Sequence, residues 1–218
     1  MSLPESVAGY RILSELGRGA EGVVYLAESS DGLNKRVALK CFASAARFAH
    51  ELEAYRRLEA LRADATLGNL AEVLAAGELP GGGGFLALPY LPGGSLADRV
   101  KQAGPLAPEE ARQIARQLLA GLEQLHAAGL CHRDVKPHNV LLDAQGQARL
   151  GDFGLSRDRD RSLSQGGTPA FSAPEQWVLD EADEPTPRSG VAIDVYGAGA
   201  TLYYLLTARS PLPGAPDV

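Results

Sequence analysis

Two short apolar-rich runs, Tyr10 to Leu16 and Val23 to Glu28, are separated by glycines and read as strands, and Arg36 to Phe42 reads as a third. From Ala45 to Arg62 the period changes. Phe48, Leu52, Tyr55 and Leu58 recur at three and four residues, the spacing of a helix with one apolar face. Val73 to Leu79 and Phe85 to Tyr90 return to strand character, split by the turn Pro80-Gly81-Gly82-Gly83-Gly84. After Pro92-Gly93-Gly94, a natural hinge, the pattern becomes mainly helical. Pro108 to Ala128 is the clearest element: proline suits the first helical turn, Glu109 and Glu110 complement the N-terminal dipole, and Gly129 suits a left-handed cap. Ile114, Leu118, Leu122 and Leu125 line one face of it. Val191 to Ala208 is apolar enough for a buried core helix. The pattern thus predicts an α+β fold in two lobes, residues 1–91 with five antiparallel strands and one helix, and residues 92–218 mainly helical.

The 218 residues, 45% hydrophobic and 22% charged, are sufficient for a sizeable core and argue against wholesale disorder. A net charge of -6 gives no support for nucleic-acid binding through phosphate neutralisation. Cys41 and Cys131 make neither a disulfide framework nor a metal site and read as buried, reduced thiols. Met1 to Glu5 lacks the features of a signal peptide, and no segment reaches the ~18 apolar residues of a membrane span. A soluble, cytoplasmic protein is the expectation.

The chemistry concentrates in His132-Arg133-Asp134-Val135-Lys136-Pro137-His138-Asn139 and in Asp152-Phe153-Gly154. These place two carboxylates, an amide and an ammonium at fixed spacing, the set needed to deprotonate a hydroxyl and hold magnesium. Gly17, Gly19 and Gly22 form a glycine-rich turn between two strands, where a backbone can approach phosphate oxygens closely, although a tight hairpin would produce the same pattern. Lys40 ends the apolar run Val37-Ala38-Leu39, where burying an ammonium is costly without a negative partner.

Together these motifs resemble the catalytic domain of eukaryotic-like (Hanks-type) protein Ser/Thr kinases, a two-lobed fold. The resemblance implies ATP and Mg2+ as cofactors and a protein hydroxyl as acceptor. It implies Asp134 as catalytic base, Lys136 as neutraliser of the transferring phosphoryl, and Asn139 and Asp152 as magnesium ligands. It implies an ion pair of Lys40 with Glu51, Glu53 being the competitor on another face of the helix. Leu88 stands at the gatekeeper-like position, Pro89 contributes a carbonyl and Leu91 an amide to adenine, and Val24, Ala38 and Leu141 join the ATP-binding set with the three glycines. His132 is expected to pack in the core against Phe153 rather than to act in chemistry.

Gly167-Thr168-Pro169-Ala170-Phe171-Ser172-Ala173-Pro174-Glu175 resembles the end of a kinase activation segment. Kinases of small molecules typically lack it, which favours a protein substrate over a small-molecule phosphotransferase. Arg133 before Asp134 typically accompanies activation by phosphorylation of this segment; Ser162 and Ser164 are the nearest acceptors, and Thr168 is expected to contact Asp134 and Lys136. The alternative is a pseudokinase-like binding module. The Ala-, Arg-, Leu- and Gly-rich composition hints at a GC-rich bacterial source. The resemblance runs from about Tyr10 to Gly214, and family members typically continue for several helices more. It therefore implies a truncated large lobe, in which Leu202, Tyr203, Leu205 and Leu206 form an apolar surface to be covered by a partner chain, a second copy or a rearranged activation segment. A buried Glu175 would also lack its usual arginine.

Overall fold

The computed structural model describes residues 3–19, 22–30, 34–61, 68–153, 169–178 and 187–212. The chain divides into two compact units, Met1–Glu59 with Ala71–Leu91, and Ala60–Leu70 with Pro92–Val218.

In the first unit, β1 (Ser6–Val7), β2 (Tyr10–Gly19), β3 (Gly22–Ser29), β4 (Arg36–Phe42), β5 (Ala75–Glu78) and β6 (Gly84–Pro89) form an antiparallel sheet in the order β1-β2-β3-β4-β6-β5. The sheet therefore has six strands, not five. The additional one is two residues long, too short to carry an alternation of its own. Tyr25, Ala27, Val37, Leu39 and Ala87 form a buried cluster against one face, joined by Tyr10, Ile12 and Phe85. Strand periodicity sends Ala38, Lys40 and Phe42 to the opposite face. There Phe42 meets Phe48 of α1 (Ala45–Leu61) with ring centroids 5.9 Å apart. The buried stripe of α1 holds Phe48, Glu51, Tyr55 and Leu58, so a carboxylate occupies an otherwise apolar face. One glycine is dictated by packing: a Cβ on Gly22 would stand 1.8 Å from the Cys41 carbonyl oxygen.

The second unit contains α2 (Leu96–Ala103), α3 (Pro108–Ala127), the hairpin β7 (Val140–Leu142) and β8 (Ala148–Leu150), α4 (Glu175–Val178) and α5 (Pro187–Thr207). Residues 60–70 group with this unit because Asn69 and Leu70 attach to β8. The Leu150 amide donates to the Asn69 carbonyl at 2.9 Å, and the Asn69 side chain donates to the Ala148 carbonyl at 3.2 Å. In α3, Ile114, Leu118, Leu122 and Leu125 are buried as the periodicity predicts, and Gly129 has φ +70°. α2 begins at a capping box: Ser95 Oγ accepts from the Asp98 amide at 3.1 Å, and Asp98 Oδ2 accepts from the Ser95 amide at 3.2 Å.

The helix expected near Val191 to Ala208 is α5, buried on one side only. Ile193, Ala198, Tyr204 and Leu205 lie inside, while Val195, Tyr203 and Leu206 are exposed. Leu205 thus belongs to the core rather than to an apolar surface, and its carbonyl accepts from the Leu106 amide at 2.7 Å. Glu175 is half-buried, so the penalty foreseen for a buried, unpaired carboxylate does not apply. Among the described residues, no helix is long and apolar enough to cross a membrane.

Candidate active site

The first unit gathers its polar and apolar candidates on one face of the sheet. Lys40 lies opposite Val24, and Ala38 lies opposite Leu88, in the registers of β4 with β3 and β6. Directly opposed residues of antiparallel strands share a face, as do residues two apart. Val24, Ala38, Lys40 and Leu88 therefore line the same side of the sheet, facing away from the Tyr25–Leu39 cluster. Pro89 ends β6, and Pro89 and Leu91 are half-buried.

Lys40 reaches α1 by its Nζ, which lies 2.6 Å from Glu51 Oε2 and 5.0 Å from the centre of the Phe42 ring. The Glu51 side chain is 1% exposed and that of Lys40 is 11% exposed, so each charge needs the other to offset its desolvation. Glu53 is exposed and pairs instead with Arg57, at 3.3 Å. The glycine-rich turn joins β2 to β3, with residues 20–21 outside the described set. At Gly17 and Gly19 an added Cβ would meet no atom within 4 Å. Packing within the fold does not ask for glycine at these two positions.

The second unit builds its candidates on a platform provided by α5. Asp194 is completely buried there. Its Oδ2 accepts from the His132 amide at 2.8 Å and its Oδ1 from the Arg133 amide at 2.6 Å. His126 Nε2 donates to the same Oδ2 at 2.7 Å. The kinase resemblance implies that Asp194 braces this backbone, but periodicity in α3 marks only the apolar positions, so the His126 bond is not visible in the sequence. A Cβ on Gly197, one turn of α5 further on, would meet the Val135 carbonyl oxygen at 2.8 Å, so the backbone at Val135 rests directly on the helix. His126, Cys131 and Asp194 bring potential metal-ligating atoms within 4.8 Å of one another. Two of the three, His126 and Asp194, are hydrogen-bonded to each other.

His132 is 1% exposed and its ring meets Phe153 edge-on, with centroids 5.8 Å apart. Its Nδ1 accepts from the Asp134 amide at 3.3 Å, so the proton sits on Nε2, which donates to the Gly151 carbonyl at 2.9 Å. It packs in the core, as the sequence suggested. Asp134 Oδ2 receives Lys136 Nζ at 2.8 Å and Asn139 Nδ2 at 3.0 Å. Asn139 Nδ2 also donates to the Asp134 carbonyl at 2.8 Å, so Oδ1 is the atom of that side chain that could accept or ligate. Arg133 and Asp152 both adopt left-handed backbone conformations, with φ +61° and +65°, a strained state for residues with side chains. Leu141 is half-buried in β7, bridged to Ser95. Gly154, Ser162, Ser164 and Thr168 lie outside the described residues.

Oxygen ligands from Asn139 and Asp152 suit magnesium, which keeps several of its waters and needs few protein ligands. The model of the protein kinase domain matches residues 10–217. The chain belongs to the protein kinase domain family. This kinase domain is 37% identical over 213 residues to serine/threonine-protein kinase PknK of Mycobacterium bovis, an alignment covering 93% of this chain and 18% of that protein. It is 34% identical over 228 residues to serine/threonine-protein kinase AfsK of Streptomyces griseus, covering 99% of this chain and 26% of that protein. A fungal relative, serine/threonine-protein kinase ssp1 of Schizosaccharomyces pombe, is 34% identical over 220 residues, covering 93% of this chain and 33% of that protein. The kinase domain thus spans between 18% and 33% of the length of these relatives.

Proposed function

We propose that this kinase domain transfers the γ-phosphoryl group of ATP to a serine or threonine hydroxyl of a protein. The observation that carries the reading is the catalytic-loop constellation, with Asp134 Oδ2 held by Lys136 and Asn139 on a backbone anchored to buried Asp194. Asp134 accepts the proton of the acceptor hydroxyl as the new oxygen–phosphorus bond forms and the bond to the β-phosphate oxygen breaks, releasing ADP. Lys136 offsets negative charge on the transferring group.

Asn139 and Asp152 would hold magnesium, which would supply positive charge to offset the charge developing on the phosphates. Lys40, kept in place by Glu51, binds the α- and β-phosphates. The open space around Gly17 and Gly19 supports close approach of the hairpin backbone to phosphate oxygens, with Gly22 completing the turn. In the first unit Val24, Ala38 and Leu88 contact adenine, Pro89 offers it a carbonyl and Leu91 an amide; Leu141 is assigned to ATP binding by the kinase resemblance. Phosphorylation at Ser162 or Ser164, read by Arg133, orders the activation segment, and Thr168 contacts Asp134 and Lys136. The printed names of the relatives, all serine/threonine-protein kinases, support a protein acceptor.

A panel of acceptors with labelled ATP and magnesium tests the proposal. Transfer to protein serine or threonine is the expected result. Transfer only to sugars or amino alcohols would replace it with a small-molecule phosphotransferase, and nucleotide binding without any transfer with a pseudokinase-like module.

A further inference from the structure

The Arg133–Asp134 peptide is held from two sides. Its carbonyl accepts from Gln176 Nε2 at 3.0 Å, and its amide donates to His132 Nδ1 at 3.3 Å. Gln176 uses its other end as well: Oε1 accepts from the Ala173 amide at 2.8 Å. One carboxamide in α4 therefore ties the start of that helix to the backbone immediately before Asp134.

Position matters here because Arg133 has φ +61°. A non-glycine residue in this region is strained and persists only where its surroundings over-determine it. Asp194 restrains the amide side of Arg133 from α5 at 2.6 Å, and Gln176 restrains the carbonyl side. Rotation of the Arg133–Asp134 peptide plane would swing the Cα–Cβ bond of Asp134, and the carboxylate with it. The far end of the tie is firm. Ala170, Phe171 and Ala173 are buried, and Phe171 meets Tyr204 of α5 with ring centroids 5.8 Å apart.

We infer that Gln176 is a positioning residue for phosphoryl transfer: its carboxamide fixes the Arg133–Asp134 peptide plane and couples the direction of Asp134 to the fold of residues 169–178. The inference rests on the proposed role of Asp134 as base. Glutamine chemistry is specific to the task. A glutamate could still accept from Ala173 but would set an oxygen against the Arg133 carbonyl, leucine would lose both bonds at similar volume, and asparagine is one methylene short.

The test compares Gln176→Glu, Gln176→Leu and Asp134→Asn with the wild-type chain. It measures kcat per nucleotide-competent molecule, KM for ATP, thermal midpoint and amide exchange of residues 132–136. For both Gln176 variants we expect kcat to fall about tenfold, the loss of one hydrogen bond at its upper range, with KM for ATP within about twofold. Exchange at 132–136 should accelerate while that of α3 stays unchanged. Wild-type kcat in Gln176→Glu would show that the bond to Arg133 has no positioning role and would overturn the inference. So would a fall in thermal midpoint and competent fraction without a fall in kcat per competent molecule. Undiminished transfer by Asp134→Asn would instead refute the reading of Asp134 on which the inference rests, and Gln176 would lose its assigned role with it.

Discussion

Lys40 and Glu51 form an ion pair inside the first unit, Nζ to Oε2 2.6 Å, between the fifth position of β4 and the seventh of α1, consecutive elements of the chain. Both groups are taken out of water, so their attraction has to offset two desolvation penalties. Neither is stable alone.

Removing one partner should therefore be costly. Glu51→Ala is expected to lower unfolding free energy by about 3–5 kcal/mol. The paired replacement Lys40→Met with Glu51→Leu should recover most of that loss, since apolar groups of similar volume are tolerated where a buried pair stood. Urea unfolding of Lys40→Met, Glu51→Leu and the double measures the coupling. Losses that simply add would mean that the two charges do not depend on each other. All three variants should lose activity by roughly 10²-fold or more, because phosphate would lose a preorganised cation.

Asp194 predicts a larger structural effect than its distance from the reacting atoms suggests. It accepts three hydrogen bonds, from the His132 and Arg133 amides and from His126. Asp194→Asn should cost at least about 3 kcal/mol, because a carboxamide turns one acceptor into a donor facing a backbone N–H. Activity should fall by roughly 10²-fold through misplacement of Asp134. Chemical denaturation and transfer assays check both numbers, and a stable, active Asp194→Asn protein would contradict the platform described above.

The fold was largely legible in the sequence where one element carried one period. β4 and α3 follow their apolar patterns, and the buried face of α3 is the set expected from Ile114, Leu118, Leu122 and Leu125. Glu51 is singled out by the kinase resemblance and not by periodicity, which places Leu52 on the stripe where the structure buries Glu51. Short elements escaped for a physical reason: β1, β7 and β8 have two or three residues, fewer than one alternation needs. α2 had a readable start signal in Ser95-Leu96-Ala97-Asp98, a capping box with aspartate in the glutamate position. The hydrogen bonds of His126 and Gln176 join residues 68 and 43 positions apart, and no local pattern encodes such pairings.

Replacing the cap tests that start signal. Ser95→Ala removes the acceptor for the Asp98 amide and should cost about 1 kcal/mol. The Ser95 hydroxyl is also the main cause holding the Asp98 carboxyl below its ordinary value. That contribution to stability is present above the unfolded carboxylate range and disappears as pH falls through the lower folded value. The difference between wild type and Ser95→Ala should therefore shrink under acid conditions, as thermal melts across pH would reveal.

Cys41 makes the opposite prediction at high pH. The thiol is half-buried, as is Cys131, rather than fully buried as expected, and this partial burial pushes it up from 9.0 to about 11, so the folded chain keeps a proton that the unfolded chain releases. The associated stability is complete below pH 9.0 and is lost as pH rises towards about 11. Cys41→Ala should show a shallower decline over that window in urea midpoints. At pH 8 the wild-type thiol should also alkylate at least about tenfold more slowly than a free cysteine. Rapid alkylation of folded protein would contradict the burial.

The most direct test of the account is the intact mass of the chain before and after incubation with magnesium and ATP, beside Asp152→Ala. The account predicts that wild type gains whole phosphates and that Asp152→Ala gains none while remaining folded, with peptide mapping placing phosphate within residues 152–175. Equal phosphate on both proteins, or none on a wild type that binds nucleotide, would contradict it.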